Sequence, residues 1–309
     1  MTTLLYSHDA CLGHDTGFGH PERSDRLRAV NNALSADSFA GLDRREAPKA
    51  DFDRLVLNHP ERFVSDIFDK APASGSLRLD PDTVMSPGSA EAALRAAGAV
   101  CAAVDDVIAG VAANAFCAVR PPGHHAEPET AMGFCLFNSV AIAARHAREK
   151  HGMERIAVVD FDVHHGNGTQ AAFWQEKDLM YVSSHQYPYY PGTGAASETG
   201  EGNILNIPLA EGTGSAVFRD AMATRVFPAL QDFKPELLLI SAGFDSHADD
   251  PLAGLMLEDD DYGWITDEML AIADQHCAGR LVSALEGGYD LDALGRSVAV
   301  HVQSLMKAT

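Results

Sequence analysis

The stretch Val158-Val159-Asp160-Phe161-Asp162-Val163-His164-His165-Gly166-Asn167-Gly168 decides how the rest of the chain is read. It continues an apolar run, Ile156-Ala157-Val158-Val159, with the length and composition of a buried strand, and polar residues begin abruptly where that run ends. Side chains alternate along extended backbone, which puts Asp160, Asp162 and His164 on one side. Two carboxylates and an imidazole crowded at one edge, followed by Gly-Asn-Gly, are costly unless a cation sits among them. Ligands of open α/β sheets bind just beyond the carboxyl ends of strands. The residues therefore predict a metal held by Asp162 and His164, with Asp160 supporting from behind. The competing reading, a polar surface loop, fits poorly with a start inside so apolar a strand.

With 309 residues the chain is long enough for one large α/β domain or two small ones, and 46% hydrophobic residues suffice for a sizeable core. No internal repeat, linker or low-complexity tract divides it, so one domain over 1–309 is expected. No apolar stretch is long enough to span a bilayer, and the N-terminus lacks a basic-then-apolar secretory pattern. A net charge of -21 argues against nucleic-acid backbones as partners and favours neutral or cationic ones. The five cysteines (Cys11, Cys101, Cys117, Cys135, Cys277) are dispersed and never spaced C-x-x-C. They read as reduced thiols of a cytoplasmic protein.

Outward from the central stretch, strands are expected at 3–7, 116–119, 179–184, 204–208, 237–242 and 280–285. Helices are expected from Pro21 to about Leu34, near 60–69, from Ser89 to about Gly110, over 139–150, near 168–176 and over 215–232. Apolar strands alternating with helices indicate a largely parallel sheet covered on both faces. Four strands run into reactive groups: His124-His125 after Arg120-Pro-Pro-Gly, the Asp160/Asp162/His164 cluster, Asp245 after Ser241-Ala-Gly-Phe, and Tyr289 after Glu286-Gly-Gly. A parallel sheet brings these ends to one edge, where Asp245 supplies a third metal ligand. Three protein ligands leave a position open for water and substrate. Ligation by oxygen and nitrogen suits zinc and other divalent ions, Fe(II) included. For Asp245 alone, a helix N-cap is the competing reading.

Arg120-Pro-Pro-Gly-His-His-Ala126, Asp160-Phe-Asp-Val-His-His-Gly-Asn-Gly-Thr169, Pro191-Gly-Thr-Gly194, Ser241-Ala-Gly-Phe-Asp245 and Leu285-Glu-Gly-Gly-Tyr289 resemble the motifs of the zinc-dependent histone deacetylase superfamily. That superfamily also holds acetylpolyamine amidohydrolases and acetoin-utilisation proteins. The resemblance runs from the His-Pro-Glu-Arg segment at 20–23 to Tyr289 and lies nearer the class II branch. It implies the arginase/deacetylase α/β fold, an eight-stranded, mostly parallel sheet between helical layers. It implies Asp162, His164 and Asp245 as zinc ligands and His124 and His125 as the tandem active-site histidines. Asp160 would hold His124 charged, and Asn167, standing where class I relatives carry Asp, would leave His125 less basic and suited to act as general base. Tyr289 would stabilise the oxyanion.

The resemblance further implies a substrate tunnel lined by Phe134 and Tyr190, with Gly133 and Leu252 beside it. Tyr190 departs from the commoner Phe, and Leu252 replaces the Glu of the polyamine-selective relative. Together with the missing long first-loop insertion of bacterial acetylpolyamine amidohydrolases, Leu252 points to acetyl-lysine in peptides or proteins over small acetylated amines. Two potassium sites are implied: a nearer one at Asp160, Asp162, His164, Ser183 and Ser184, and a farther one at Phe173, Glu176, Leu179 and Asn203. The oligomeric state stays open, a homo-oligomer included. A non-catalytic acyl-lysine binder and an arginase-like binuclear hydrolase are the competing functions.

Overall fold

A computed structural model describes residues 2–307. Eight strands form one sheet in the order β2-β1-β5-β10-β9-β6-β7-β8. They are β1 Thr3–Ser7, β2 Asp43–Glu46, β5 Asn114–Cys117, β6 Ile156–Asp160, β7 Leu179–Gln186, β8 Ile204–Leu209, β9 Leu237–Ala242 and β10 Leu281–Leu285. The remaining pair, β3 Leu77–Arg78 and β4 Val84–Met85, is a small antiparallel hairpin. Every pairing in the large sheet is parallel. The central strands β5, β6, β7, β9 and β10 are buried along their whole length, which is why they read as unbroken apolar runs.

Register is what builds the site. Tyr6, Cys117, Ala284, Ser241, Asp160, Ser183 and Asn206 stand in one row across neighbouring strands. Chain continuing past that row emerges on a single edge, so the segments after Cys117, Asp160, Ala242 and Leu285 meet there. Helices Ser89–Ile108 and Ser139–His151 pack together over one face, the first against β1, β5 and β10 and the second against β9. Helices Ser24–Ala33, Leu291–Lys307 and Asp259–His276 pack in succession over the other. Among the described residues no helix is long and apolar enough to cross a membrane. All five cysteines are buried and unbonded to one another.

Some expectations need correction. The first helix starts at Ser24, because Glu22 is drawn into the buried interior instead of opening a helix on the surface. The helix expected over 215–232 is two segments, Ser215–Ala221 and Phe227–Phe233, joined by a π-helical turn at Met222–Val226. Pro228 has no N–H to continue the ladder, and the hydrogen-bond register widens just ahead of it. Further elements went unread, among them the edge strand β2, the hairpin β3–β4 and the helices Phe52–Leu55, Asp259–His276 and Leu291–Lys307.

Candidate active site

Asp162, His164 and Asp245 come together at the carboxyl edge, buried, with donor atoms all within 4.8 Å of one another. His164 Nδ1 lies 3.1 Å from Asp162 Oδ1 and 3.2 Å from Asp245 Oδ2. Strand alternation does not produce this, since β6 ends at Asp160 and the chain turns beyond it. Carboxylates folding onto backbone amides do. Asp160 Oδ1 accepts from Asp162 N (3.1 Å), Asp162 Oδ1 from His164 N (2.9 Å) and Asp245 Oδ1 from Val163 N (2.8 Å). No helix begins at Asp245, so the N-cap reading falls.

Glycines let the backbone close round these carboxylates. A Cβ on Gly287 would sit 2.0 Å from Asp245 Oδ2, and one on Gly243 would sit 2.2 Å from Asp162 Oδ2. Asp245 Oδ2 is buried without a hydrogen-bond partner, and burial together with the Asp162 charge pushes this carboxyl up to about 7. Burial opposes ionisation of Asp162 as well, but His124 and His164 hold it far below the usual carboxylate range. An orphaned carboxylate oxygen beside a second carboxylate and an imidazole is the donor set of a divalent cation, and these residues fit one.

Next to the cluster stand the tandem histidines, their rings 4.0 Å apart. His124 Nδ1 lies 2.9 Å from Asp160 Oδ2, which also accepts from the Tyr181 hydroxyl at 2.9 Å. Burial would lower the His124 pKa, yet Asp160 and Asp162 outweigh it and hold His124 well above its ordinary value. Burial and the charges of His124 and His164 push His125 well below. His125 Nδ1 lies 2.8 Å from Asn167 Oδ1, and Asn167 Nδ2 donates to Glu127 Oε1 at 2.8 Å. An ionised carboxylate only accepts, so Glu127 fixes the amide with its oxygen towards His125. The proton is thereby assigned to His125 Nδ1, leaving Nε2 with its lone pair.

Several residues that hold this arrangement escaped sequence reasoning. Glu286 Oε2 accepts from the amides of Gly123 (2.6 Å) and His124 (3.2 Å), pinning the Pro-Pro-Gly-His-His loop. Arg26 donates to the carbonyls of Gly288 (2.6 Å) and Glu286, and its guanidinium carbon lies 4.8 Å from the centre of the Tyr289 ring. Glu22 pairs with both Arg26 and Arg120, all three fully buried. Asp250 Oδ2 accepts from Tyr289 N at 2.7 Å. Burial pushes the Tyr289 hydroxyl well above its usual range, against the opposing Arg26 charge, so it remains a donor.

Around the mouth, Phe134 meets Tyr289 edge-on at 6.0 Å, and Tyr190 meets His125 edge-on at 5.2 Å, so the two aromatics flank the site. Gly133 packs so tightly that a Cβ would fall 2.4 Å from His125 Cδ2. Leu252 donates its N–H to Asp250 Oδ1 at 2.9 Å, and its carbonyl accepts from the Tyr189 hydroxyl. The Tyr189 ring stacks on His164 at 5.7 Å, a contact whose only advance signal was its place in the aromatic loop.

The implied potassium ligands fare unequally. At the nearer site, Ser183, whose hydroxyl the resemblance implied, stands beside Asp160 in the sheet register. Ser183 Oγ is engaged with His185 Nδ1 at 2.8 Å. At the farther site, the carbonyls of Phe173, Glu176 and Leu179 converge on Asn203 Nδ2 at 2.9, 3.2 and 2.7 Å. The Asn203 carbonyl instead pairs with Tyr181 N in the sheet (2.9 Å). An amide nitrogen thus stands at the focus where the resemblance implied a cation, and its N–H groups satisfy the same oxygens.

The sheet order, with reactive loops gathered on its carboxyl edge, defines the class as the arginase/deacetylase α/β fold. The crystal structure of the HDA15 HD domain is similar with a TM-score of 0.95 at 34% identity, covering 100% of this chain and 90% of that one. Residues 20–305 match the family model described as histone deacetylase domain. "Histone deacetylase 14, chloroplastic" of Arabidopsis thaliana is 40% identical, over 98% of this chain and 76% of the relative. "Histone deacetylase-like amidohydrolase" of Pseudomonas aeruginosa is 41% identical, over 93% and 81%. The chain belongs to the histone deacetylase family.

Proposed function

We propose that the protein is a zinc-dependent deacetylase that removes acetyl groups from Nε-acetyl-lysine-like amines and releases acetate, the whole chain acting as one catalytic unit. The observation that carries this reading is the Asp162/His164/Asp245 cluster, with its orphaned Asp245 oxygen, placed beside a His125 whose Nε2 is free. Zinc held by these three residues would supply a Lewis acid for the acyl carbonyl and for the attacking water.

The chain's own residues do the rest. His125 Nε2 takes a proton from the water whose oxygen attacks the acyl carbon. His124, kept charged by Asp160, places positive charge beside the developing oxyanion, and the Tyr289 hydroxyl donates a hydrogen bond to it. His125 then returns its proton to the nitrogen as the C–N bond breaks, giving free amine and acetate. Phe134 and Tyr190 form apolar walls that exclude bulk water and admit a narrow acyl-lysine stem. A potassium ion at the nearer site would use the carbonyls of Asp160, Asp162, His164 and Ser184 with the Ser183 hydroxyl and the Asp160 carboxylate, and steady β6 from behind. Five buried free thiols fit a reducing compartment such as the cytoplasm.

Leu252 favours acyl-lysine over polyamine, because it offers no carboxylate to a cationic substrate and its backbone is fixed by Tyr189 and Asp250. Comparing kcat/KM of the zinc-loaded enzyme on an acetyl-lysine peptide and on acetylspermidine tests this. Peptide preference is expected; a large preference for acetylspermidine would overturn the substrate assignment and leave the chemistry standing.

A further inference from the structure

A second convergence of ligating groups lies at the far end of the helices from the candidate active site. Helices Ser89–Ile108 and Ser139–His151 both end near the amino edge of the sheet, where β5 and β6 begin. The helix Ser139–His151 starts at Asn138, beside the loops of the candidate active site, and its span of about 20 Å separates the two places. There, His146 Nε2 and His151 Nε2 both point at Asp105 Oδ1, at 2.8 and 2.6 Å, and the three donor atoms lie within 4.8 Å of one another. The two rings stand nearly perpendicular, 84° apart, so the two nitrogens approach the carboxylate from different directions. Lys150 Nζ contacts the other carboxylate oxygen at 2.7 Å.

We infer that Asp105, His146 and His151 form a second divalent-metal site, taking Zn2+ or a similar d-block ion and tying the two helices together. Two imidazole nitrogens and one carboxylate oxygen are the ligand set such ions prefer, with the remaining position left to water. Around a tetrahedral ion with ligand bonds of about 2.0–2.2 Å, donor atoms stand roughly 3.3 Å apart. The present contacts, 2.8 and 2.6 Å, therefore need to open by roughly 0.5–0.7 Å. His146, 5% exposed, supplies an already desolvated ligand, while His151, the last residue of its helix and 19% exposed, has room to yield. Lys150 is 49% exposed on a flexible stem; it competes for the carboxylate and swings to water when an ion enters.

The inference stands apart from the proposed reaction, because none of the three residues touches the candidate active site. The test is zinc stoichiometry of the full chain after dialysis against buffered Zn2+. Wild type is expected to hold two ions, His151→Gln one ion with unchanged acetate release, and Asp245→Ala one ion. In the Asp245→Ala protein, added Zn2+ should raise Tm, and this rise should vanish when His151→Gln is added. Lys150→Gln should tighten the second ion several-fold. One ion in wild type that His151→Gln leaves in place would mean a plain cross-helix ion pair and overturn the inference. Two ions both lost in Asp245→Ala would place the second at the candidate active site and overturn it equally.

Discussion

Asn167 is uncharged, yet its orientation decides which nitrogen of His125 is basic, and Glu127 decides the orientation of Asn167. Removing that carboxylate in Glu127→Ala frees the amide to turn and is expected to lower kcat roughly tenfold, the usual scale for a partner one step behind a reacting group. Glu127→Gln should keep most of the rate, because its Oε1 accepts the same hydrogen bond; steady-state kinetics of both variants checks this. Tyr289→Phe should cost about 10²–10³ in kcat with little change in KM or Tm, since it deletes a donor to the oxyanion alone. The residues proposed as ligands and the tandem histidines could be picked out in the sequence because each sits at a strand end, in a short motif. Glu286, Glu22, Arg26 and Glu127 were not legible as supporting groups. Their partners lie up to 262 residues away in sequence, and a buried carboxylate that pairs across the fold carries no local pattern.

Between the residue and the molecule, the loops follow from the strands that launch them. The apolar strands were readable from sequence because burial on both faces writes itself as an unbroken hydrophobic run. Strand β2, Asp-Arg-Arg-Glu, was not, because an edge strand with alternating exposure and four charges looks like a loop. The helix Asp259–His276 hides its start in three acidic residues, whose meaning lies in the capping box between Glu258 and Asp261. The Glu286-Gly-Gly-Tyr289 loop gives the sharpest prediction at this scale. In Gly287→Ala the new methyl group meets Asp245 and Asp162 carboxylate oxygens, so the cluster must open. Metal affinity at the cluster should fall tenfold or more. Far-UV circular dichroism should stay as in wild type, and equilibrium dialysis separates the two effects.

Across the whole molecule, buried neutral histidines tie stability to pH. His301 is enclosed by Phe116, Phe161 and Phe244 and bonded to the hydroxyls of Thr266 (2.6 Å) and Ser283 (2.9 Å). Burial pushes it down to about 3. The unfolded chain takes up a proton near pH 6.5 and the folded chain resists until about 3, so this contribution is complete above 6.5 and is lost as pH falls towards 3. From pH 7 to 5 the loss is roughly 2 kcal/mol for this one group. Urea unfolding at both pH values should show an acid loss smaller by about that amount in His301→Gln. The charge of -21 acts at the same scale: kcat/KM on a lysine-flanked acetyl-lysine peptide should fall as ionic strength rises, and less so on a neutral peptide.

The most direct test of the account is acetate release from an acetyl-lysine peptide by the chelator-stripped enzyme, before and after two equivalents of Zn2+, with His125→Ala alongside. The account predicts no turnover when stripped, recovery on zinc addition in wild type, and no recovery in His125→Ala even though Asp162, His164 and Asp245 still bind the ion. Full turnover by the stripped enzyme, or recovery in His125→Ala equal to wild type, would contradict it.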